Sequence, residues 1–161
     1  MPVGRAVVWK KNTVDSAYAL DIARLAKKID FGSAIWSTVS WSRDGVQNAI
    51  IELWVYPPTQ LRLLYTVARH VRRKVNYDYV VELDTTPCHF GGRRWWFLCP
   101  SANCRRRCRI LYMAPGSDYF LCRICQNLTY RSQQEGPDPF KKLLHKYYLE
   151  ALSKMSGGRN R

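Results

Sequence analysis

Four of the six cysteines, Cys99, Cys104, Cys122 and Cys125, fall in two close pairs with the spacing C-x4-C-x17-C-x2-C. Thiolates bind zinc tetrahedrally at about 2.3 Å, and two close pairs on neighbouring turns supply that geometry at small entropic cost. The pattern predicts one structural Zn2+ held by these four residues in a zinc ribbon. With every coordination position filled, such an ion has no place for an activated water and acts as a scaffold. Cys108 is a rival ligand, able to pair with Cys99 or Cys104. It sits in Cys108-Arg109-Ile110-Leu111-Tyr112, which alternates as a strand does, and there a cysteine acts as a small apolar residue.

Arginines crowd the same region. From Gly91 to Arg131 there are eight arginines and one acid, Asp118. Arg93 and Arg94 precede the first cysteine, Arg105, Arg106 and Arg107 follow the second, and Arg123 lies between the last two. Guanidinium groups make planar, bidentate contacts to phosphate and base edges, so the ribbon is expected to meet a polyanion. A second basic cluster, Arg69, Arg72, Arg73 and Lys74, falls at an expected sheet edge or hairpin tip. A solvated surface with a charge bias, or an acidic protein partner, would use the same residues. Trp95, Trp96 and Phe97 could stack on bases. Strand alternation instead sends Trp95 and Phe97 to one side, into the small core, and Trp96 to the other.

Catalysis is not expected. Cys88 and His89 are adjacent on an extended segment and point oppositely, so they form no dyad. The acids Glu52, Glu82 and Asp84 are scattered, without the carboxylate cluster of a metal-dependent nuclease.

These residues need elements to hold them. At 161 residues and 47% hydrophobic, the chain is long enough for a real core, and its net charge of +14 speaks to partners and not to fold. No apolar run suits a signal peptide or a spanning helix, which predicts a cytoplasmic protein with no membrane partner. In a reducing compartment the cysteines then read as metal ligands and spare thiols.

Thr13 to Lys28 predicts a first helix stopped at Gly32, since Val14, Tyr18, Ile22, Leu25 and, just beyond it, Ile29 fall at helical spacing. From Ala34 the period changes to two. Ala34–Trp41, Val46–Tyr56, Leu61–His70 and Tyr77–Leu83 predict an antiparallel meander, because the spacers are too short for crossovers. Thr86–Gly92 is a turn-rich joint, and Arg109–Met113 with Tyr119–Leu121 forms the ribbon's hairpin. Asp138-Pro139 opens a last amphipathic helix over Pro139–Met155. The expected class is therefore α+β, with a helix-plus-sheet domain at 1–90, the zinc ribbon at 91–135, and a helix with a basic tail at 136–161.

The stretches Thr86–Pro100 (TPCHFGGRRWWFLCP) and Leu121–Gln133 (LCRICQNLTYRSQ), and more loosely Val14–Leu25, resemble a group of small bacterial proteins of unassigned activity. These often occur in phage- or plasmid-like contexts. The resemblance implies a zinc ribbon and gives the ligand roles to Cys99, Cys104, Cys122 and Cys125. In that family a closer first pair is followed by Gly-Arg-Arg-Val, so Arg105 stands at the Gly position and Cys108 at the Val position, which implies a core role for Cys108.

The expected function is non-enzymatic nucleic-acid binding through the arginine-rich ribbon, with DNA preferred over RNA as partner. The alternative is a mobile-element interaction protein, a subunit or inhibitor of a CRISPR-type nucleoprotein complex.

Overall fold

The computed structural model describes residues 10–43, 45–70, 73–134, 140, 143–144 and 147–149. Its centre is a six-stranded antiparallel sheet in which sequence neighbours pair in turn: β2 (Trp36–Arg43), β3 (Val46–Tyr56), β4 (Gln60–His70), β5 (Arg73–Pro87), β6 (Arg93–Leu98) and β7 (Arg107–Cys108). The expected meander is present, and it runs further than the spacing indicated. β5 is 15 residues long, pairs with β4 through Glu82 and then with β6 from Leu83 to Pro87. The turn-rich joint is thus a hairpin tip inside one continuous sheet. The chain divides into two compact units at Thr129/Tyr130.

Period-two alternation gives the sheet one apolar face. Ile51, Leu53 and Val55 of β3, Leu61 and Leu63 of β4, Val81 and Leu83 of β5 and Phe97 of β6 are all buried. Leu20, Ile22, Leu25, Ile29, Phe31, Leu111 and Phe120 complete the same cluster from the layer that covers it. No polar or charged residue is buried among the described residues.

That covering layer corrects the expected first helix. Thr13–Lys28 is not one helix but a 3-10 turn at Val14–Ser16, a strand β1 (Tyr18–Asp21) and a single helical turn α1 (Ile22–Leu25). β1 forms a two-stranded antiparallel ladder with β8 (Ile110–Met113), in register from Tyr18↔Met113 to Asp21↔Ile110. Non-local pairing with residues some ninety positions away overrides the local 3.6 period, because weak helix propensity yields to tertiary hydrogen bonding. The apolar spacing still reports burial, since Ile22, Leu25 and Ile29 are in the core. Asp21 caps α1, its Oδ1 accepting from Ala23 N at 2.9 Å. Gly32 does not stop the helix, which ends at Leu25.

The molecule is accordingly mostly antiparallel β with short helices. In the second unit, α2 (Arg131–Gln134) is followed by helical backbone at Phe140, Leu143–Leu144 and Tyr147–Leu149. Those six residues are all exposed. The remainder of the expected helix, including Asp138, Pro139, Ala151 and Leu152, lies outside the described residues.

Candidate metal centre and basic surface

β6 leads directly into the first cysteine pair. Cys99 N donates to Arg106 O at 2.9 Å, and Cys104 N to Ser101 O at 3.0 Å, which closes the turn between β6 and β7. The second pair follows Leu121, whose N–H donates to Tyr112 O at 3.0 Å while Tyr112 N returns a bond of 2.7 Å. This exchange is the return arm of the expected ribbon hairpin. The two turns face each other. Cys99 Sγ lies 3.8 Å from Cys125 Sγ, Cys104 Sγ lies 3.8 Å from Cys122 Sγ, and all four sulfurs are within 4.8 Å of one another.

These separations suit a tetrahedral thiolate site. Metal–sulfur bonds of about 2.3 Å give a tetrahedron with edges of about 3.8 Å. Backbone amides steady the sulfurs, with Cys122 N donating to Cys99 Sγ at 3.4 Å and Cys125 N to Cys122 Sγ at 3.5 Å. Each knuckle uses left-handed backbone just after its second cysteine, at Arg105 (φ 47°) and Asn127 (φ 50°). Asparagine tolerates that region well, whereas arginine is an unusual occupant.

The thiols differ in acidity. The Arg106 amide lowers the Cys104 pKa to about 7, favouring the thiolate. Burial raises that of Cys99. Burial pushes Cys108 and Cys125 alike up to about 12, so acidity does not set Cys108 apart and its position does. Its Sγ faces Phe97 O at 3.6 Å, and it packs against the main core outside the four-sulfur cluster. Cys88 is exposed at the hairpin tip, also away from the cluster.

Several residues that the spacing did not single out fasten the ribbon to the sheet. Tyr65 OH donates to Asp118 O at 2.6 Å, and Phe120 N donates to Tyr79 OH at 2.9 Å. Gln126 Nε2 reaches Tyr112 O at 2.8 Å and Ser117 Oγ at 3.0 Å, bracing the turn. Phe120 sits among Trp41 and Tyr65, with ring centroids at 5.8 and 5.4 Å. The clue in the sequence was the run of tyrosines at 65, 77 and 79 on the inward positions of β4 and β5.

The arginines separate into two groups. Arg105 forks onto Glu82, with Nη1 to Oε1 at 3.0 Å, and Arg107 Nε lies 2.5 Å from Asp84 Oδ2. Arg109 forks onto Asp21 at 2.8 Å. These ion pairs hold the Glu82 carboxyl below its ordinary range, and for Asp84 the Thr85 amide adds to the effect. At Asp21, burial raises the pKa but Arg109 and the Ala23 amide outweigh it. Glu82 and Asp84 stand two apart on the outward face of β5, the legible sign that they could meet cations side by side.

Arg93, Arg94 and Arg106 are exposed and meet no acid among the described residues. Arg94 Cζ lies 4.4 Å above the Trp96 ring, whose Nε1 donates to Thr86 Oγ1 at 3.0 Å. Trp95 turns the other way, 5.0 Å from Phe31, and Phe97 is fully buried. The alternation expected of this trio is the alternation observed. Arg123 Nη1 donates to Leu128 O at 3.1 Å inside its knuckle. Lys74 is exposed near the start of β5; Arg72 lies outside the described residues, and of Arg73 only the backbone is described.

No protein-family model, curated protein or solved structure matches the chain. Among the described residues no helix is long and apolar enough to cross a membrane.

Proposed function

We propose that this is a non-enzymatic nucleic-acid-binding protein in which one structural zinc ion sets the geometry of a basic surface. Zinc is the ion that four thiolates at these separations suit best, and it needs no open coordination position for this role. The observation that carries the reading is the fate of the charges between Asp84 and Asp118, a stretch with six arginines and no acid. Three of those arginines neutralise acids of other strands, Glu82, Asp84 and Asp21. The other three, Arg93, Arg94 and Arg106, are left exposed to meet phosphate. The phosphate grip thus rests on Arg93, Arg94 and Arg106, with Lys74 as a peripheral contributor, and Arg105 and Arg107 act as struts.

Phosphate contacts release counterions, so affinity for a DNA duplex should fall steeply between 50 and 200 mM salt, by roughly tenfold or more for a few contacts. Arg93→Ala, Arg94→Ala and Arg106→Ala should each lower the slope of log affinity against log salt by about 1. A salt-independent affinity, or a triple variant that binds as the parent does, would sink the reading.

One observation favours the alternative, a docking subunit or inhibitor of a CRISPR-type nucleoprotein complex. The outward face of the sheet exposes Trp36, Ile50, Trp54, Tyr56 and Val80, while Arg62 beside them is paired with Asp78 at 2.5 Å. An apolar patch whose cation Arg62 is already paired and which also carries Glu52 suits a protein surface better than phosphate. Co-purification of a protein partner that survives nuclease treatment would favour this second reading over the first.

A further inference from the structure

The sheet does not end where its flat part ends. β4 pairs with β5 only as far as Gln60↔Glu82, and β7 pairs with β6 only at Phe97 and Leu98. Between these limits, Asp84–Pro87 and Trp96–Arg93 pair with each other and with no third strand. They form a two-stranded β-ribbon, and every residue from Pro87 to Arg94 is exposed. Its root is anchored, with Trp95 against Phe31 and Asp84 against Arg107.

The tip is built to present one side chain. Gly91 N donates to Cys88 O and Cys88 N to Gly92 O, both at 3.1 Å, so the turn is closed by its own backbone. Gly91 and Gly92 have φ of 86° and 80°, and a Cβ at either would meet nothing, so glycine is there for conformation alone. Phe90 stands out at 97% exposure, the highest of the large apolar side chains described, with the His89 ring edge-on at 5.0 Å. Behind it Arg93 and Arg94 face no acid among the described residues, since Asp84 at the root is neutralised by Arg107.

We propose that this ribbon is a nucleic-acid-engaging arm, in which Phe90 wedges between adjacent base pairs of a duplex while Arg93 and Arg94 hold the flanking phosphates. The proposal rests on the nucleic-acid reading and adds a mechanism to it. A two-stranded ribbon fits a duplex groove, and apolar side chains at such tips unstack a base step and kink the helix. A rigid phenyl ring on a closed turn loses little conformational freedom on insertion, and the two arginines supply attraction at the charged rim. Water leaves both faces of a ring that the folded protein leaves uncovered.

The metal-loaded 161-residue chain is titrated into a duplex of repeated TA steps, the steps most easily unstacked, with 2-aminopurine replacing some adenines. Anisotropy reports binding, and 2-aminopurine emission reports unstacking. Saturating parent protein should raise the emission several-fold. Phe90→Ala, whose ring has no packing role, should bind within about threefold of the parent yet leave the emission flat, and Phe90→Leu should recover part of the response. Arg93→Ala with Arg94→Ala should weaken binding by about tenfold and leave the emission at saturation as in the parent. Flat emission at saturating anisotropy, or a parental response from Phe90→Ala, overturns the wedge and leaves the nucleic-acid reading standing. Absence of any anisotropy change at low salt overturns both. Sedimentation with phosphatidylserine vesicles that Phe90→Ala abolishes, without duplex binding, would reassign the tip to a membrane surface and equally overturn the wedge.

Discussion

The arginines of the metal knuckle and those of the hairpin arm look alike in sequence and end differently. Arg105 and Arg107 leave a knuckle that the cysteines hold beside the outward face of β5, where Glu82 and Asp84 stand at alternate positions. Arg93 and Arg94 leave a strand that has outrun its neighbours, and neither pairs with an acid among the described residues, Asp84 being taken by Arg107. A run of like charges therefore has no fixed meaning. The counter-charge that strand register places opposite decides whether it becomes a strut or a contact surface. The two regions also differ in what builds them, a cluster of four cysteine sulfurs in one case and strand pairing in the other.

Removing the metal should separate them most sharply. Structural zinc contributes on the order of 10 kcal/mol to the folding of such sites. Chelation, or Cys122→Ser, is expected to abolish hydrogen-exchange protection at Arg106 and Cys125 while amides of the β5–β6 arm keep theirs. Cys104→Ser should lose the ion as well, whereas Cys108→Ser should retain one equivalent by metal analysis; the reverse outcome would reassign the fourth ligand.

Phe97→Ala should erase the distinction, since Phe97 is opposite Leu83 of the arm and Cys108 of the knuckle strand. A fully buried phenylalanine truncated to alanine costs about 3–5 kcal/mol, readable by denaturant titration, and both regions should lose protection together.

A smaller effect reverses the charge sorting. Glu82→Gln with Asp84→Asn frees Arg105 and Arg107, and duplex binding should tighten with a salt slope steeper by about 1 for each arginine released. Unchanged binding would mean that the knuckle arginines face away from the nucleic acid.

The smallest expected effect is on acid stability. Glu82, Asp84 and Asp21 have folded pKa values below their ordinary 4.5, 3.8 and 3.8. Groups depressed on folding add stability that is complete above the unfolded pKa and lost as pH falls through the folded one. Denaturation midpoints should therefore decline from about pH 4.5 downward as these carboxylates protonate. The Glu82→Gln, Asp84→Asn variant should show a shallower decline than the parent. An identical profile would show that thiolate protonation and metal loss govern acid unfolding alone.

Much of the fold was legible because its periods are strong. β3 coincides with the expected Val46–Tyr56 and β4 begins one residue before the expected Leu61, since alternation and turn residues mark both. The helix expected at Thr13–Lys28 was not there. Ile22, Leu25 and Ile29 are buried, yet the spacing of apolar residues cannot tell a helix from a strand and turn that bury the same side chains. A tight glycine turn such as Gly91-Gly92 looks the same in sequence between domains as at a hairpin tip.

By itself, the sequence picked out the four cysteines that stand positioned to hold a metal ion, since two close pairs can close on one ion wherever the rest of the chain goes. It also determined the inward and outward sides of the strands, because each strand alternates with period two. Only the tertiary structure decided which arginines are neutralised. Glu82 and Arg105 are 23 residues apart, and Asp21 and Arg109 are 88 apart. Coulomb attraction falls with distance through space, and distance along the chain does not report it.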